Sequence, residues 1–510
     1  PLPASMEMVP GGVELVVDTA GARAPIVIDP TITVEEWAYG ISQSAADLGD
    51  AVADAGDVNG DGYSDVIVGA PYYDDGHTNE GAAWIFLGSA AGLSTSPDWE
   101  VQSARINGRL GYAVAGAGDV NGDGYDDVLV GQPLLDWGSY SGVGKALLYL
   151  GSASGPSTTA SWTVQGTTQY EWVGWSVAGA GDLNGDGYDD IVIGVPGHSD
   201  PEPFEGAGYV YYGSATGPAS APDVILESDI ARARAGRALG VGGDLDNDGY
   251  DDVVVGQPWY TDTMSLQGRL DVYLGGASGV DPTSVFSVAG SVANGELGTA
   301  ISIVQDVNGD GFDELLFAAP SHQDAYNQEG MAWLHYGTTT GPAASAAWSA
   351  TGGGTSLHLG TSVSGTGDLN GDTYGDVAIG VYNATDTATS EGAVEVYFGS
   401  ASGLASSPDY EVYGYDGGAH LGRSVAIAGD VDGDGQSDLL AGAPDTNPGG
   451  EARVYVGLGA VQGVSEEADW TDDSDEVQAF YGAALDGAGD VNGDGYDDVI
   501  LGAYGYDDGQ

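Results

Sequence analysis

The chain has 510 residues, with 77 acidic side chains against 10 Lys and Arg, a net charge of −67 and no cysteine. Such an excess of carboxylate repels nucleic acid and anionic membranes, and the absence of thiols excludes disulfide bracing and a cysteine nucleophile. Its 88 glycines oppose helix, and no stretch approaches the 18 or so apolar residues of a membrane span.

In chain order, residues 1–47 hold two strand-like runs, 11–17 and 34–40. Residues 48–481 then repeat one unit seven times, and residues 482–510 hold the first half of an eighth. The first unit opens at Leu48-Gly49 and continues with a strand of small residues to the acidic nonapeptide at 57–65. A β-branched run, Val66-Ile67-Val68, follows and stops at Gly69-Ala70-Pro71. A polar connection leads to a third strand at 83–87, a Gly-Ser turn at 88–92 and a more polar fourth strand at 98–101. Four short strands in about 62 residues predict one antiparallel meander. Its repetition predicts an all-β propeller, a single domain over 1–510, with crowded small residues innermost. The second strands are apolar at consecutive positions, as expected where both faces pack on neighbours.

The nonapeptides begin at Asp57, Asp119, Asp182, Asp244, Asp306, Asp368, Asp430 and Asp490. Oxygen-bearing residues fill positions 1, 3, 5 and 9, while positions 4 and 6 are mostly glycine, which permits the left-handed turn that points alternate residues inward. Calcium takes six to eight oxygens from carboxylates, amides and carbonyls. The predicted ligands, with the backbone carbonyl at position 7, are Asp57, Asn59, Asp61, Tyr63 and Asp65, then Asp119, Asn121, Asp123, Tyr125 and Asp127. The third and fourth turns give Asp182, Asn184, Asp186, Tyr188 and Asp190, and Asp244, Asp246, Asp248, Tyr250 and Asp252. The fifth and sixth give Asp306, Asn308, Asp310, Phe312 and Glu314, and Asp368, Asn370, Asp372, Tyr374 and Asp376. The last two give Asp430, Asp432, Asp434, Gln436 and Asp438, and Asp490, Asn492, Asp494, Tyr496 and Asp498. Up to eight Ca²⁺, one per blade, are expected. The longer Glu314 arm is expected to weaken or shift its site, and Thr373, in place of the position 6 glycine, to strain the sixth turn. Position 8 varies and is expected to point away. The same opening begins an EF-hand or dockerin loop, but an EF-hand needs a Glu at position 12 and flanking helices, whereas these turns run into strands.

The repeat resembles the FG-GAP repeat of integrin α-subunit propellers and their bacterial relatives: strand-opening glycine, Asp-x-Asn-x-Asp-Gly-x-x-Asp, apolar strand, Gly-Ala-Pro. The chain departs from it where Leu, Val, Ala or Tyr replaces the phenylalanine, and at Ala318-Ala319-Pro320, Gly380-Val381-Tyr382 and Gly502-Ala503-Tyr504. The resemblance implies an extracellular, secreted or cell-surface recognition module with its calcium turns on one face. Partners would bind on the opposite face, through loops carrying Tyr72, Tyr73, Trp137, Tyr140, Phe204, Trp259, Tyr260, Tyr326 and Tyr382. The competing reading is that these rings pack their own loops. Integrin propellers have seven blades and this chain has eight turns. Residues 11–17 align with 392–398, and 34–40 resemble 408–414. The expectation is therefore eight blades, the last a hybrid closed by N- and C-terminal strands; the alternative is seven blades plus an extra unit.

Nothing predicts an enzyme. The histidines, His77, His198, His322, His335, His358 and His420, form no His-Glu-x-x-His pair, and no Gly-x-Ser-x-Gly elbow occurs. His198 and His322 are expected to be exposed loop residues, and the sole lysine, Lys145, lies in no recognisable Schiff-base setting. The chain opens at Pro1, as a mature form freed of its leader or a shortened chain would, and Asn383-Ala384-Thr385 is a lone sequon. Candidate roles are an adhesion or recognition module for an extracellular protein, a calcium-dependent lectin-like glycan binder, and a subunit that assembles with copies of itself into a surface layer or filament.

Overall fold

The structure, a computed structural model, describes residues 4–9, 12–17, 37–41, 43, 45–446, 451–455, 470–473 and 479–505. It divides into two compact units, Pro1–Val34 and Glu35–Gln510. In the first, Ala4–Val9 pairs antiparallel with Gly12–Val17. In the second, seven four-stranded antiparallel sheets follow one another, each a meander of consecutive strands, and a two-stranded sheet comes last. Blade 1 is built from Ala51–Gly56, Asp65–Ala70, Ala82–Phe86 and Trp99–Gln102. Among the described residues there is no helix, and so none long and apolar enough to cross a membrane.

The second strand of each of the first six blades is buried at every position, because neighbouring blades cover both of its faces. The core is accordingly a series of apolar seams between blades. Ile67 and Ile85 of blade 1 pack with Val128 and Val130 of blade 2, and Leu129 and Leu148 of blade 2 pack with Ile191 and Ile193 of blade 3. Each fully buried aliphatic side chain contributes about 1.5–3 kcal/mol. The first strands carry small residues, and those of blades 1 to 3 line a cavity of about 420 Å³ together with Asp126 and Asp486.

Among the described residues seven four-stranded blades are therefore present, with the eighth unit as an additional two-stranded sheet, Tyr481–Gly489 and Asp498–Ala503. That sheet closes the ring. Val491 and Ile500 pack with Val66, Val68 and Phe86 of blade 1, and the amides of Ser64 and Ser89 donate to the carbonyls of Asp490 and Val491 at 3.1 and 2.9 Å. Gly12–Val17, expected as the third strand of a hybrid eighth blade, pairs antiparallel with Ala4–Val9, from Val9 opposite Gly12 to Ala4 opposite Val17. A two-residue connection closes such a hairpin at little entropy cost. Residues 11 and 34–36, which the same expectation used, lie outside the described residues.

Trp37, by contrast, stands where a fourth-strand ring belongs. It meets Phe86 edge-on with centroids 4.7 Å apart, as Trp99 meets Tyr149 at 4.8 Å and Trp162 meets Tyr211 at 4.6 Å. Its indole nitrogen donates to the carbonyl of Ser94 at 2.8 Å, and those of Trp162 and Trp348 donate alike to Ala219 and Ala405 in the blades that follow theirs.

Candidate metal centres

Each acidic turn is organised by its first residue. Asp57 Oδ1 accepts from the backbone N–H of Gly60 at 2.7 Å and Asp61 at 3.0 Å, and Oδ2 accepts from Gly62 at 2.8 Å. Asn59 Oδ1 receives the Asp61 N–H at 2.8 Å, and Asp61 Oδ1 that of Tyr63 at 3.2 Å. The same winding recurs at Asp182-Asn184-Asp186-Tyr188, Asp368-Asn370-Asp372-Tyr374 and Asp490-Asn492-Asp494-Tyr496. In the second turn Asp119 takes the N–H of Asp123 and Gly124, and Asp123 that of Tyr125.

Position 9 ties the turn to the sheet. The buried Asp65 accepts from Val58 at 2.9 Å and from Gly88, just past the third strand, at 2.7 Å. Asp127, Asp190, Asp252 and Asp376 repeat this pair of bonds. Burial pushes these carboxyls up, to about 7 at Asp65, Asp127 and Asp190 and about 8 at Asp252 and Asp376. Backbone N–H bonds oppose the shift, and the carboxylates at positions 1 and 5, or 1 and 3 beside Asp252, reinforce it. A buried carboxyl facing two others is poised for a cation that would offset their mutual repulsion.

Three turns gather their acids most closely. Within 4.8 Å of one another lie ligand oxygens of Asp244, Asp246 and Asp248, of Asp306, Asp310 and Glu314, and of Asp430, Asp432 and Asp438. Buried oxygens of Asp246 and Asp430 have no hydrogen-bond partner, a deficit that a bound cation would remedy. An all-oxygen donor set of this kind fits a hard divalent ion. The other five turns share the winding without bringing three carboxylates so near.

The irregular turns adapt. Asn247, in place of a position 4 glycine, adopts φ of 52°. Thr373 adopts φ of 76°, a strained conformation for a β-branched residue, and its N–H still reaches Asp368 Oδ2 at 2.7 Å. Glu314 Oε2 accepts from Val307 at 2.7 Å, while its second oxygen takes the side-chain amide of Asn308 at 3.1 Å. Burial raises this carboxyl to about 9.

Position 8 does point away from its own turn, but it is not idle. Asp126 accepts from the N–H of Asp57 in the preceding blade at 2.7 Å, and Asp189, Asp313 and Asp497 serve Asp119, Asp244 and Asp430 in the same way. The signal in the sequence was the recurrence of Asp at position 8 in five of the eight copies. Position 7 acts across blades as well: a Cβ on Gly60 would lie 2.6 Å from the Tyr125 ring, and one on Gly493 would lie 2.3 Å from the Tyr63 ring. Position 4 of these two turns therefore needs glycine for space as well as for conformation.

On the opposite side, a buried acid caps several of the loops between second and third strands. Glu329 Oε1 accepts from the N–H of Asp324, Ala325 and Tyr326, and Glu391 accepts from Thr387 and Ala388. The aromatic residues expected here divide. Trp137, Tyr140 and Tyr326 are exposed, whereas Tyr260 is buried and Tyr73 packs on Trp84. Arg234 lies over Trp172 and Phe204, Arg237 over Trp175 and Trp259, Arg109 over Tyr72, and Tyr382 stacks on His420. The histidines are not simple exposed loop residues: His322 is buried and His198 is paired with Glu227. In the sequon, the Asn383 amide donates to the carbonyl of Ser356 at 3.0 Å.

Repeat, acidic turn and ring together define the class: this chain is an FG-GAP-repeat β-propeller. Six segments match the FG-GAP repeat family, at residues 51–86, 110–149, 173–212, 235–274, 297–335 and 421–457. Relatives that it matches include integrin α subunits. It is 37% identical to integrin alpha-6 of Gallus gallus over 145 residues, which is 27% of this chain and 12% of that protein. To integrin alpha-V of Gallus gallus it is 31% identical over 247 residues, 46% of this chain and 22% of that protein. To integrin alpha-5 of Xenopus laevis it is 28% identical over 235 residues, 44% and 21% respectively. The matched region thus spans about a fifth or less of these relatives' length.

Proposed function

We propose that this protein is an extracellular, calcium-stabilised recognition module that is not an enzyme. Its acidic turns hold the ring together, and the loops on the opposite side engage a protein or glycan at a cell surface or in the matrix. The carrying observation is the contrast between the two ends of the blades. The same hydrogen-bonded turn recurs at one end, while at the other each blade presents different side chains, with Trp137, Tyr140 and Tyr326 exposed. Exposed aromatic rings supply large, rigid contact area in protein and sugar recognition. Kinship with integrin α subunits, which are non-enzymatic adhesion receptors, favours the same role. In the calcium reading, positions 1, 3, 5 and 9 with the position 7 carbonyl supply the ligands in all eight turns. Residues around Trp37 would serve as the fourth strand of the eighth unit.

The test is binding of the calcium-loaded protein to arrays of glycans and of extracellular proteins, alongside a Trp137→Ala/Tyr140→Ala variant. Binding that needs calcium and falls at least tenfold in the variant supports the proposal. Binding indifferent to both, or calcium-dependent sedimentation of the protein with itself alone, refutes it.

A further inference from the structure

Blade 3 carries a second kind of cluster, at the end away from its acidic turn. His198 follows the second strand, Ile191–Val195, and Glu205 precedes the third, Ala207–Tyr211. Glu227 ends the fourth strand, Val224–Glu227, where it stands opposite Ala207. Three segments thus converge, and a ring nitrogen of His198 and one carboxylate oxygen from each glutamate lie within 4.8 Å of one another.

The hydrogen bonding leaves a gap. His198 Nε2 faces Glu227 Oε1 at 3.2 Å, and Nδ1 is bonded to the Tyr209 hydroxyl at 2.8 Å. Both ring nitrogens are therefore engaged, and even a protonated imidazole has nothing left for Glu205. Glu205 is wholly buried; Oε1 accepts from the N–H of Asp200, while Oε2 has no partner. Its counterparts Glu80, Glu329 and Glu391 show no such orphaned oxygen. A buried acceptor without a partner is costly, more so when charged, and demands an explanation.

We propose that His198, Glu205 and Glu227 bind one divalent ion of the zinc class, distinct from the calcium turns, which clamps the loop between the second and third strands to the end of the fourth. Two ligands at 2.0–2.1 Å from a tetrahedral centre are about 3.3 Å apart, close to the 3.2 Å between His198 and Glu227. One imidazole and two carboxylates suit zinc, whereas three donors including a nitrogen are too few and too soft for calcium. With Nδ1–H donating to Tyr209, the Nε2 lone pair is held toward the ion, the usual supporting role of such a partner. Blade 5 is an internal control: His322 and Glu329 recur there, but Thr351 stands where Glu227 would be.

The experiment is titration of the full chain with Zn²⁺ in excess Ca²⁺, against a chromophoric chelator. We expect one equivalent to bind tightly, at least 100-fold more weakly in His198→Ala and Glu227→Gln, and unchanged in His322→Ala. Co²⁺ added to the unsubstituted protein should give the visible absorption of a low-coordinate nitrogen and oxygen site, a readout that needs no variant to fold. Equal Zn²⁺ affinity in the unsubstituted protein and His198→Ala, or a Co²⁺ spectrum identical to that of the aqueous ion, overturns the proposal.

Discussion

The two ends of each blade answer to different demands. At the acidic end every turn contacts the next one around the ring, through Asp126 to Asp57 and through Tyr125 over Gly60, and the sequence there barely changes from copy to copy. At the other end the residue two before the inner-strand glycine is Asp47, Arg109, Trp172, Arg234, Glu296, His358, His420 or Phe480. All eight of these adopt positive φ, so one backbone shape presents six different kinds of side chain. Uniform side chains mark where the ring is assembled; a uniform backbone under varied side chains marks where it is free to specialise.

The largest effect expected from this division is on cation removal. A site that binds at about 10⁻⁴ M gains roughly 2.7 kcal/mol at a hundredfold excess of calcium, so eight filled sites contribute on the order of 20 kcal/mol. For a chain of this size that corresponds to roughly 20 °C in Tm. Melting in calcium and in excess EDTA measures it, and superimposable curves would dispose of the idea that the acidic end holds the ring.

Next in size is loss of a single position 9 acid. Asp376→Ala abandons the N–H groups of Leu369 and Gly399, for an expected cost of about 3 kcal/mol, read from the denaturation midpoint. A variant as stable as the parent would mean that this carboxylate holds neither the turn nor an ion.

The pH dependence should change sign with cation. Without one, burial raises the position 9 carboxyls in the folded state to about 7 to 8 at Asp65, Asp127, Asp190, Asp252 and Asp376. A raised folded value means stability that is fully present below the unfolded value of about 4 and is lost as pH climbs through 7 to 8. In EDTA, Tm should therefore fall between pH 5 and 8. In calcium it should hold or rise over that range, because ion binding requires the deprotonated form. Parallel profiles in the two conditions would break the link between these groups and the ion.

A smaller gain is expected from Thr373→Gly. Relief of left-handed strain at a β-branched residue is worth roughly 1 kcal/mol after the entropy cost of glycine, and calcium affinity at the sixth turn should rise with it. Calorimetry and calcium titration of the variant check both; lower stability would show that the sixth turn has adapted to its threonine.

The winding of the acidic turns was legible in the sequence, because the spacing of oxygen-bearing residues and the placement of glycine are local. The strands were legible too, since a β-branched run ending in Gly-Ala-Pro says strand and stop without reference to anything distant. What stayed hidden depends on register between blades or strands. Asp126 lies 69 residues from the amide it serves, and Trp37 lies 57 residues from the carbonyl it reaches. His198 and Glu227 are 29 residues apart and meet only because Glu227 pairs opposite Ala207, two residues beyond Glu205. The strand character of Gly12–Val17 was legible as well, but its hairpin with Ala4–Val9 was not, because likeness to a third strand leaves the pairing partner open.

The smallest effect on stability should come from the opposite end. Trp137 and Tyr140 are 48% and 50% exposed and bond to each other only through backbone. Among the described residues the ring partner of Trp137 is Arg105, which lies 5.0 Å above it and is itself exposed. Replacing both rings with alanine should shift stability by no more than about 0.5 kcal/mol, since a surface site without core packing, capping or a buried bond has little to lose. If partner binding fell while the melting curve stayed put, the division of labour between the two ends would be sharpened. A drop of several degrees would instead mean that these rings brace their own loop, and that the recognition surface lies elsewhere on that side.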